Sequence, residues 1–128
     1  MIASVLTDLG YGDSGKGSTV DFLCRTLPGK KIVVRLQGGH QVGHTVKFND
    51  QLIHEFRNFG SGVFQKVPTW YGPETTCCPV AFVIEYEILK DFKPKNIYHP
   101  DAMITTSYDI MYNRWQEDQR GDNRHGSV

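Results

Sequence analysis

A glycine-rich stretch, residues 10–17, carries the residue types in this chain that are best suited to phosphate chemistry. It reads G-Y-G-D-S-G-K-G and fits the spacing G-x-x-x-x-G-K, with the lysine at Lys16. Glycines let a backbone fold tightly enough to point several N–H groups at one anion, and the lysine adds a full positive charge. A helix that begins just after the loop adds the partial positive charge of its first turn. The stretch therefore predicts a phosphate-binding loop.

The residue that follows the lysine departs from the usual phosphate loop. A Ser or Thr at this position supplies a hydroxyl to Mg²⁺, and here the residue is Gly17. Asp13, inside the loop, is the candidate replacement ligand, because Mg²⁺ favours one or two carboxylates together with phosphate oxygens. The alternative is a plain glycine turn that only links a strand to a helix, since short glycine motifs also occur without a ligand.

Apolar segments on both sides of this loop must position it. Residues 2–7 have the length and β-branched content of a buried strand, which predicts a strand leading into the loop. In residues 18–27, Val20, Leu23 and Leu27 recur at helical spacing, which predicts a helix leading out of it. Strand, glycine-rich turn and helix form the context in which such loops bind phosphate.

A second strand and a second glycine-rich loop follow. Residues 32–36 predict a strand apolar enough to be covered on both faces, and a strand–helix–strand unit of this length implies parallel pairing. Residues 37–45, Q-G-G-H-Q-V-G-H-T, come directly after it, at the carboxyl end of the strand. Ligands of open α/β sheets bind at that edge, so we expect both loops on the same rim of the sheet.

The remaining chain predicts further short elements of an α/β fold, and we expect residues 1–128 to form a single domain. Helix 79–92 is rich in apolar residues and is expected to be mostly buried. Ser107 is expected to cap the last helix, and residues 118–128 are expected to form a polar, flexible tail. The other predicted elements are a β-hairpin with strands 46–48 and 52–56, a loop at 57–68, strands at 69–71, 96–99 and 103–106, and a helix at 108–116.

Composition narrows the classes of protein that the sequence can represent. Lys plus Arg and Asp plus Glu both number 14, and the resulting zero formal charge argues against a bulk nucleic-acid binder. No apolar run reaches the roughly 18 residues of a membrane span. The amino terminus has no leading basic segment, so no signal peptide is expected. The three cysteines, Cys24, Cys77 and Cys78, have neither disulfide-framework nor zinc-site spacing, and reduced thiols in a cytoplasmic protein are expected.

With both loops in view, the chain resembles the adenylosuccinate synthetase family. Residues 11–17, Y-G-D-S-G-K-G, are similar to the family's W-G-D-E-G-K-G, and residues 34–45 are similar to V-R-Y-Q-G-G-x-N-A-G-H-T. Weaker similarity continues in residues 72–79 and at Gly126-Ser127. The resemblance implies a P-loop-NTPase-like fold with a mostly parallel sheet flanked by helices, incomplete relative to the family.

The resemblance also implies a reaction and its site residues. The family couples GTP cleavage to joining L-aspartate to the 6-position of a purine nucleotide, through a 6-phosphoryl intermediate that forms with Mg²⁺ present. Asp13 and His44 would be catalytic, and Asp13 and the Gly43 carbonyl would bind the metal. GTP would be held by Gly12, Gly15, Lys16, Gly17, Gly43 and Thr45, and the purine nucleotide by Asp13, Gln41 and Ser127. A cytoplasmic homodimer that binds neither nucleic acid nor membrane is also implied.

Departures from the family motifs leave alternatives open. Ser14 replaces a glutamate, Tyr11 a tryptophan and Gln41 an asparagine, and these changes lie on the purine side of the site. IMP is the expected purine nucleotide, and dGMP, used by a viral branch of the family, is the alternative. Because family members are much longer, an inactive nucleotide-binding fragment is a further alternative, and this chain alone is expected to show no synthetase turnover. His40, His54 and His99 are expected to have structural roles.

Overall fold

A computed structural model describes residues 2–10 and 12–124 of the chain. Its α-helices and strands follow in the order α1 (Lys16–Thr26), β1 (Val33–Arg35), β2 (His44–Lys47), β3 (Ile53–Phe56), β4 (Thr69–Tyr71), β5 (Thr76–Cys77), α2 (Pro79–Leu89), β6 (Asn96–Tyr98), β7 (Met103–Ile104) and α3 (Ser107–Gln119). Short 3₁₀ turns lie at Val63–Gln65, Lys90–Phe92 and Gly121–Asn123. No helix within the described ranges combines the length and apolarity needed to cross a membrane.

A three-stranded parallel sheet organises the fold. Its strand order is β1-β4-β6, with Val34, Trp70 and Ile97 in one row across the three strands. Strands β2 and β3 form an antiparallel hairpin, in which His44 is opposite Phe56, and β5 pairs with β7 in parallel. The predicted α/β class, with a parallel sheet, flanking helices and a β-hairpin, is confirmed.

The first predicted strand is not formed. Residues 2–8 have no strand assignment, and their apolar side chains are solvent-exposed, with Ile2 94% and Val5 84% exposed. An apolar, β-branched segment becomes a buried strand only when neighbouring strands supply hydrogen bonds and other elements cover its faces. Among the described residues, no strand pairs with this segment. The prediction of a strand at residues 2–7 is therefore wrong for this structure.

The burial expected for two other elements is also wrong. Val34 in β1 is 50% exposed, and one row of the sheet, Val34 with Ile97, is open to solvent. Helix α2 is apolar but not mostly buried: Val83 and Ile84 are about 60% exposed, and only Glu85 and Leu89 are buried. Apolar composition predicts which residues favour burial. In the described part of the chain, however, no element packs over this row of the sheet or over the exposed face of α2.

The core forms in the segment that the sequence indicates as a loop. Residues 57–68 contain a 3₁₀ turn, and most of them are buried. The buried cluster joins the hairpin, this segment and the end of α2, and its members are Val46, Phe56, Phe59, Val63, Phe64 and Leu89. Because the cluster contacts β2 and β3 directly, it fixes the hairpin that carries His44.

The last helix begins and ends differently from the prediction. Its N-cap is Thr106, not Ser107, because the Thr106 hydroxyl accepts the Asp109 N–H while the Asp109 carboxylate accepts the Thr106 N–H at 2.7 Å. Helix α3 continues to Gln119, and Glu117 is buried beside Arg120. The predicted tail thus begins inside a helix, and its last four residues, 125–128, lie outside the described part.

Candidate functional site

The predicted phosphate loop, residues 10–17, leads into the start of α1 through left-handed backbone. Gly12 has φ 112°, Asp13 φ 54° and Gly15 φ 70°, conformations that Gly adopts without the steric cost other residues incur. Gly15 is the N-cap of α1, and no side chain caps this helix. The N–H groups of its first turn are therefore available to a ligand, together with the positive end of the helix dipole.

Asp8 holds the loop from its amino-terminal side, a role that the sequence motifs did not indicate. Its carboxylate pairs with the Lys16 ammonium and accepts the Ser14 hydroxyl at 2.5 Å and the Gly10 N–H at 2.9 Å. These bonds, with Lys16 the strongest, hold the pKa of the Asp8 carboxyl well below its usual range. The only sequence signal was an aspartate placed eight residues before the lysine.

The start of α1 packs directly against the start of β2. A Cβ added to Gly17 would lie 2.8 Å from the His44 Cβ and 3.3 Å from the Ser61 hydroxyl oxygen. One residue later, the Ser18 hydroxyl donates to the Thr45 carbonyl at 3.3 Å. The glycine after the lysine thus permits a contact that any larger residue would obstruct. Through it, the phosphate loop meets the end of the second glycine-rich loop.

His44 lies in a positively charged, half-buried position. Burial lowers the pKa of its imidazole, and the positive charges of Arg35 and Lys16 lower this pKa further. The imidazole is therefore neutral near pH 7 and carries one N–H that can donate to an anionic ligand. The same cations favour the binding of a polyanion beside this ring.

The second loop is fixed by backbone bonds and by a close contact at Gly43. The Thr76 N–H donates to the Gly38 carbonyl at 3.1 Å, which joins the loop to β5. A Cβ on Gly43 would lie within 2 Å of the Glu55 carboxylate, so a larger residue there would require the Glu55 side chain to move. Glu55 in turn accepts from Arg57 at 3.0 Å. These contacts set the direction in which the loop enters β2 at His44.

A buried carboxylate anchors the backbone behind this loop. Glu85 of α2 accepts the Arg57 N–H at 3.0 Å, the Asn58 N–H at 2.6 Å and the Asn58 side-chain amide at 3.0 Å. It also pairs with His54 at 3.2 Å. Burial alone would raise the pKa of the Glu85 carboxyl, but the four hydrogen bonds outweigh it and the pKa is lowered. The Arg57 carbonyl then accepts from Arg35 at 2.8 Å, which places that guanidinium near His44.

The predicted site residues fall into three groups. Lys16, Gly17, His44 and Thr45 are brought together where α1 meets β2, and Gly12, Asp13 and Gly15 lie on the same phosphate loop. Gln41 and Gly43 lie on the second loop, where Gln41 is exposed. Ser127 lies outside the described residues.

The other histidines differ in their surroundings. His54 pairs with buried Glu85, in agreement with a structural role, and the His99 ring accepts the Asp101 N–H at 3.2 Å. His40 is half-buried, its Nδ1 has no hydrogen-bond partner in the described part of the chain, and burial followed by the Arg57 charge lowers its pKa.

The donor set of the phosphate loop can accommodate a magnesium ion bound mainly by phosphate. Asp13 is exposed, and no hydrogen bond or ion pair links its carboxylate to another described residue, whereas both oxygens of Asp8 already accept donors. Within the described ranges, no group of three or more His, Cys, Asp or Glu residues surrounds a metal position. One protein carboxylate with phosphate oxygens is a ligand set that Mg²⁺ accepts, so the residues fit this ion.

Known proteins resemble the chain in sequence and in fold. The family model described as adenylosuccinate synthetase matches residues 5–128. The adenylosuccinate synthetase of Borrelia duttonii (strain Ly) is 32% identical over 120 residues, which are 92% of this chain and 27% of that protein. The enzyme of Enterococcus faecalis (strain ATCC 700802 / V583) is 31% identical over 132 residues, covering 100% of this chain and 30% of that protein.

One solved structure extends the comparison to the fold. The structure of fully ligated adenylosuccinate synthetase from Plasmodium falciparum superposes with a TM-score of 0.73 at 23% identity, over 86% of this chain and 26% of that chain. The chain therefore spans less than a third of the length of the relatives it matches.

Proposed function

Because this chain belongs to the adenylosuccinate synthetase family, we propose that it forms the phosphate-binding part of a GTP-dependent ligase of purine nucleotide biosynthesis. The ligase would join L-aspartate to the 6-position of a purine nucleotide. The observation that carries this proposal is the contact of Gly17 with His44, which unites the lysine loop with the histidine loop. Two separate motifs of one family thus meet at one place in the fold.

The phosphates of GTP are assigned to the loop and the first turn of α1. Lys16 would pair with the outer phosphates, and the backbone N–H groups of Gly12, Gly15 and Gly17 would donate to phosphate oxygens. Thr45 is a further polar group beside Gly17. Support comes from the uncapped start of α1 and from the positive charge that Lys16 and Arg35 place around His44.

Asp13 and His44 are assigned to the chemistry. Asp13 would accept the proton from purine N1 while the γ-phosphoryl group of GTP is transferred to the 6-oxygen. The phosphorylated oxygen then leaves as inorganic phosphate when the amine of L-aspartate attacks carbon 6. Neutral His44 would donate its N–H to the phosphoryl oxygens, where negative charge accumulates during transfer.

The remaining assignments concern the metal and the purine nucleotide. Asp13 and the Gly43 carbonyl would hold Mg²⁺, which neutralises phosphate charge during transfer when it is bound. Gln41 and Ser127 are proposed contacts of the purine nucleotide, which we propose to be IMP. A homodimer and a cytoplasmic location complete the proposal.

Nucleotide binding tests the proposal directly. With Mg²⁺ present, we expect GTP to bind the chain and Lys16→Ala to weaken binding about 10- to 100-fold, because a charge-assisted hydrogen bond is lost. Lys47→Ala removes a lysine in the hairpin, 58% exposed and paired with Asp50, and is the matched control. Isothermal titration calorimetry gives all three affinities. Equal affinity of Lys16→Ala and wild type would refute the assignment of the loop.

A turnover assay tests whether this chain is sufficient for ligase activity. Phosphate release is measured with GTP and L-aspartate, with IMP in one arm and dGMP in the other. We expect the 128-residue chain alone to release none, since it spans less than a third of its relatives. Turnover by this chain would refute that expectation, and the arm that responds would identify the purine nucleotide.

A further inference from the structure

Asp8 gives the phosphate loop an anion of its own. Three donors of the loop converge on its carboxylate: the Lys16 ammonium, the Ser14 hydroxyl and the Gly10 N–H. The side chain of Asp8 is 15% exposed and that of Lys16 is 32% exposed, so the ion pair remains partly accessible to solvent. The Ser14 hydroxyl also lies 3.2 Å from the Gly12 carbonyl, which keeps it within the loop.

These three donors are of the kind that a phosphate group requires. Carboxylate and phosphate oxygens both accept from ammonium, hydroxyl and backbone N–H groups, and both are attracted by a lysine. Lys16 is also the lysine that the proposed function assigns to the phosphates. A phosphate that enters the loop must therefore share this cation with Asp8 or displace it.

We propose that Asp8 is an affinity-determining residue, which occupies the phosphate loop as an internal anion and must release Lys16 before a nucleotide phosphate binds fully. This inference rests on the proposed function, because it assumes that Lys16 serves phosphate. When the carboxylate is displaced, the Ser14 hydroxyl and the Gly10 N–H become additional donors for the ligand. Binding thus carries the cost of breaking the contacts of Asp8.

Removal of the carboxylate charge is expected to strengthen phosphate binding. Asp8→Asn keeps the size of the side chain and an oxygen that accepts from Gly10 and Ser14, but it loses the charge that holds Lys16. We expect a gain in affinity of about two- to fivefold, the range typical of a partly exposed ion pair. Asp50→Asn makes the same charge change in the hairpin turn, where Asp50 is 95% exposed, and should leave affinity unchanged.

The experiment is a titration of the full chain with inorganic tripolyphosphate, without added metal, followed by the amide shifts of the loop. Wild type, Asp8→Asn, Lys16→Ala and the double variant form a cycle, and thermal unfolding checks that each folds. We expect Asp8→Asn to bind more tightly than wild type, and this gain to disappear in the Lys16→Ala background. Loss of the affinity gain in the Lys16→Ala background would show that Asp8 acts through Lys16.

The outcomes separate the two proposals. If Lys16→Ala weakens binding while Asp8→Asn binds no better than wild type, the inference about Asp8 is overturned and the proposed function stands. A gain that persists without Lys16 also overturns it, because Asp8 would then act by general repulsion. If neither wild type nor Asp8→Asn binds tripolyphosphate, both the loop assignment and the inference fail.

Discussion

Replacement of Gly17 by alanine tests the contact on which the site depends. A glycine inside an exposed helix normally gains about 0.5–1 kcal/mol of stability when it becomes alanine. At Gly17 the new methyl carbon would lie 2.8 Å from the His44 Cβ, whereas an ordinary contact begins near 3.4 Å. The helix and the strand must therefore separate by about 0.6 Å, the difference between these two distances. Overpacking of this kind costs about 1–3 kcal/mol, so the sign of the usual effect reverses.

The assay is urea unfolding followed by circular dichroism. We expect Gly17→Ala to lower the free energy of unfolding by about 1 kcal/mol, within a range of about 0–2.5 kcal/mol given by the overpacking cost less the helical gain. Gly10→Ala is the control, because the nearest atom to its methyl carbon in the described part of the chain would be the Asp8 oxygen at 3.6 Å. This control should change stability by less than about 0.5 kcal/mol.

A double-mutant cycle identifies the partner in this clash. His44→Gly removes the atom nearest to the new methyl group, so Gly17→Ala should cost about 1 kcal/mol less in that background. The contacts with the His44 backbone and Ser61, both at 3.3 Å, remain and leave part of the cost. A Gly17→Ala variant more stable than wild type, or one with no coupling to His44, would refute the packing of α1 against β2.

Four further predictions concern the buried and exposed groups. Glu85→Ala leaves the N–H groups of residues 57 and 58 without their acceptor and should cost about 3–5 kcal/mol in urea unfolding, whereas exposed Glu87→Ala should cost less than about 1 kcal/mol. Because folding lowers the pKa of Glu85, its carboxylate stabilises the folded state fully above the unfolded pKa of 4.5, and this stabilisation is lost as the pH falls through the folded pKa. The loss of stability caused by Glu85→Gln should therefore shrink in acid, and a loss that grows in acid would contradict this. An NMR titration should find the pKa of His44 below 6.5 and higher in Lys16→Ala than in wild type, and a value above 6.5 would contradict its burial beside cations. The open row of the sheet should cause self-association in light scattering that Ile97→Lys reduces, and a strictly monomeric wild type would contradict this.

The sequence predicted the elements that depend only on the residues within their own segment. The hairpin needs only two short apolar runs and a turn, and it forms close to where it is expected. Helix α1 also forms near its predicted position, but its buried residues are Gly17, Asp21 and Cys24, not the predicted apolar set of Val20, Leu23 and Leu27. Strand β4 at Thr69–Tyr71 agrees with the prediction residue for residue. Residues 2–7 and helix α2 differ because their burial depends on surfaces elsewhere, which no local pattern reveals.

In the candidate site, too, locally determined features were predictable and features that depend on distant partners were not. Its glycine motifs and Lys16 could be read from spacing, because backbone geometry constrains which residues fit. Asp8 and Glu85 could not, since each acts through partners that only the folded chain brings near: Lys16 across the loop, and residues 57 and 58 across the core. The structure also explains why position 17 is a glycine: His44 occupies the space that a side chain at this position would need.

Mn²⁺ in place of Mg²⁺ shows whether both loops surround one triphosphate and its metal. Paramagnetic Mn²⁺ broadens the NMR signals of nearby amides. One equivalent of Mn²⁺·GTP should therefore broaden residues 12–17 together with His44 and Thr45, while Asp50 in the far hairpin turn remains sharp. Broadening of the phosphate loop alone, with His44 and Thr45 unaffected, would show that the two loops do not share one triphosphate site.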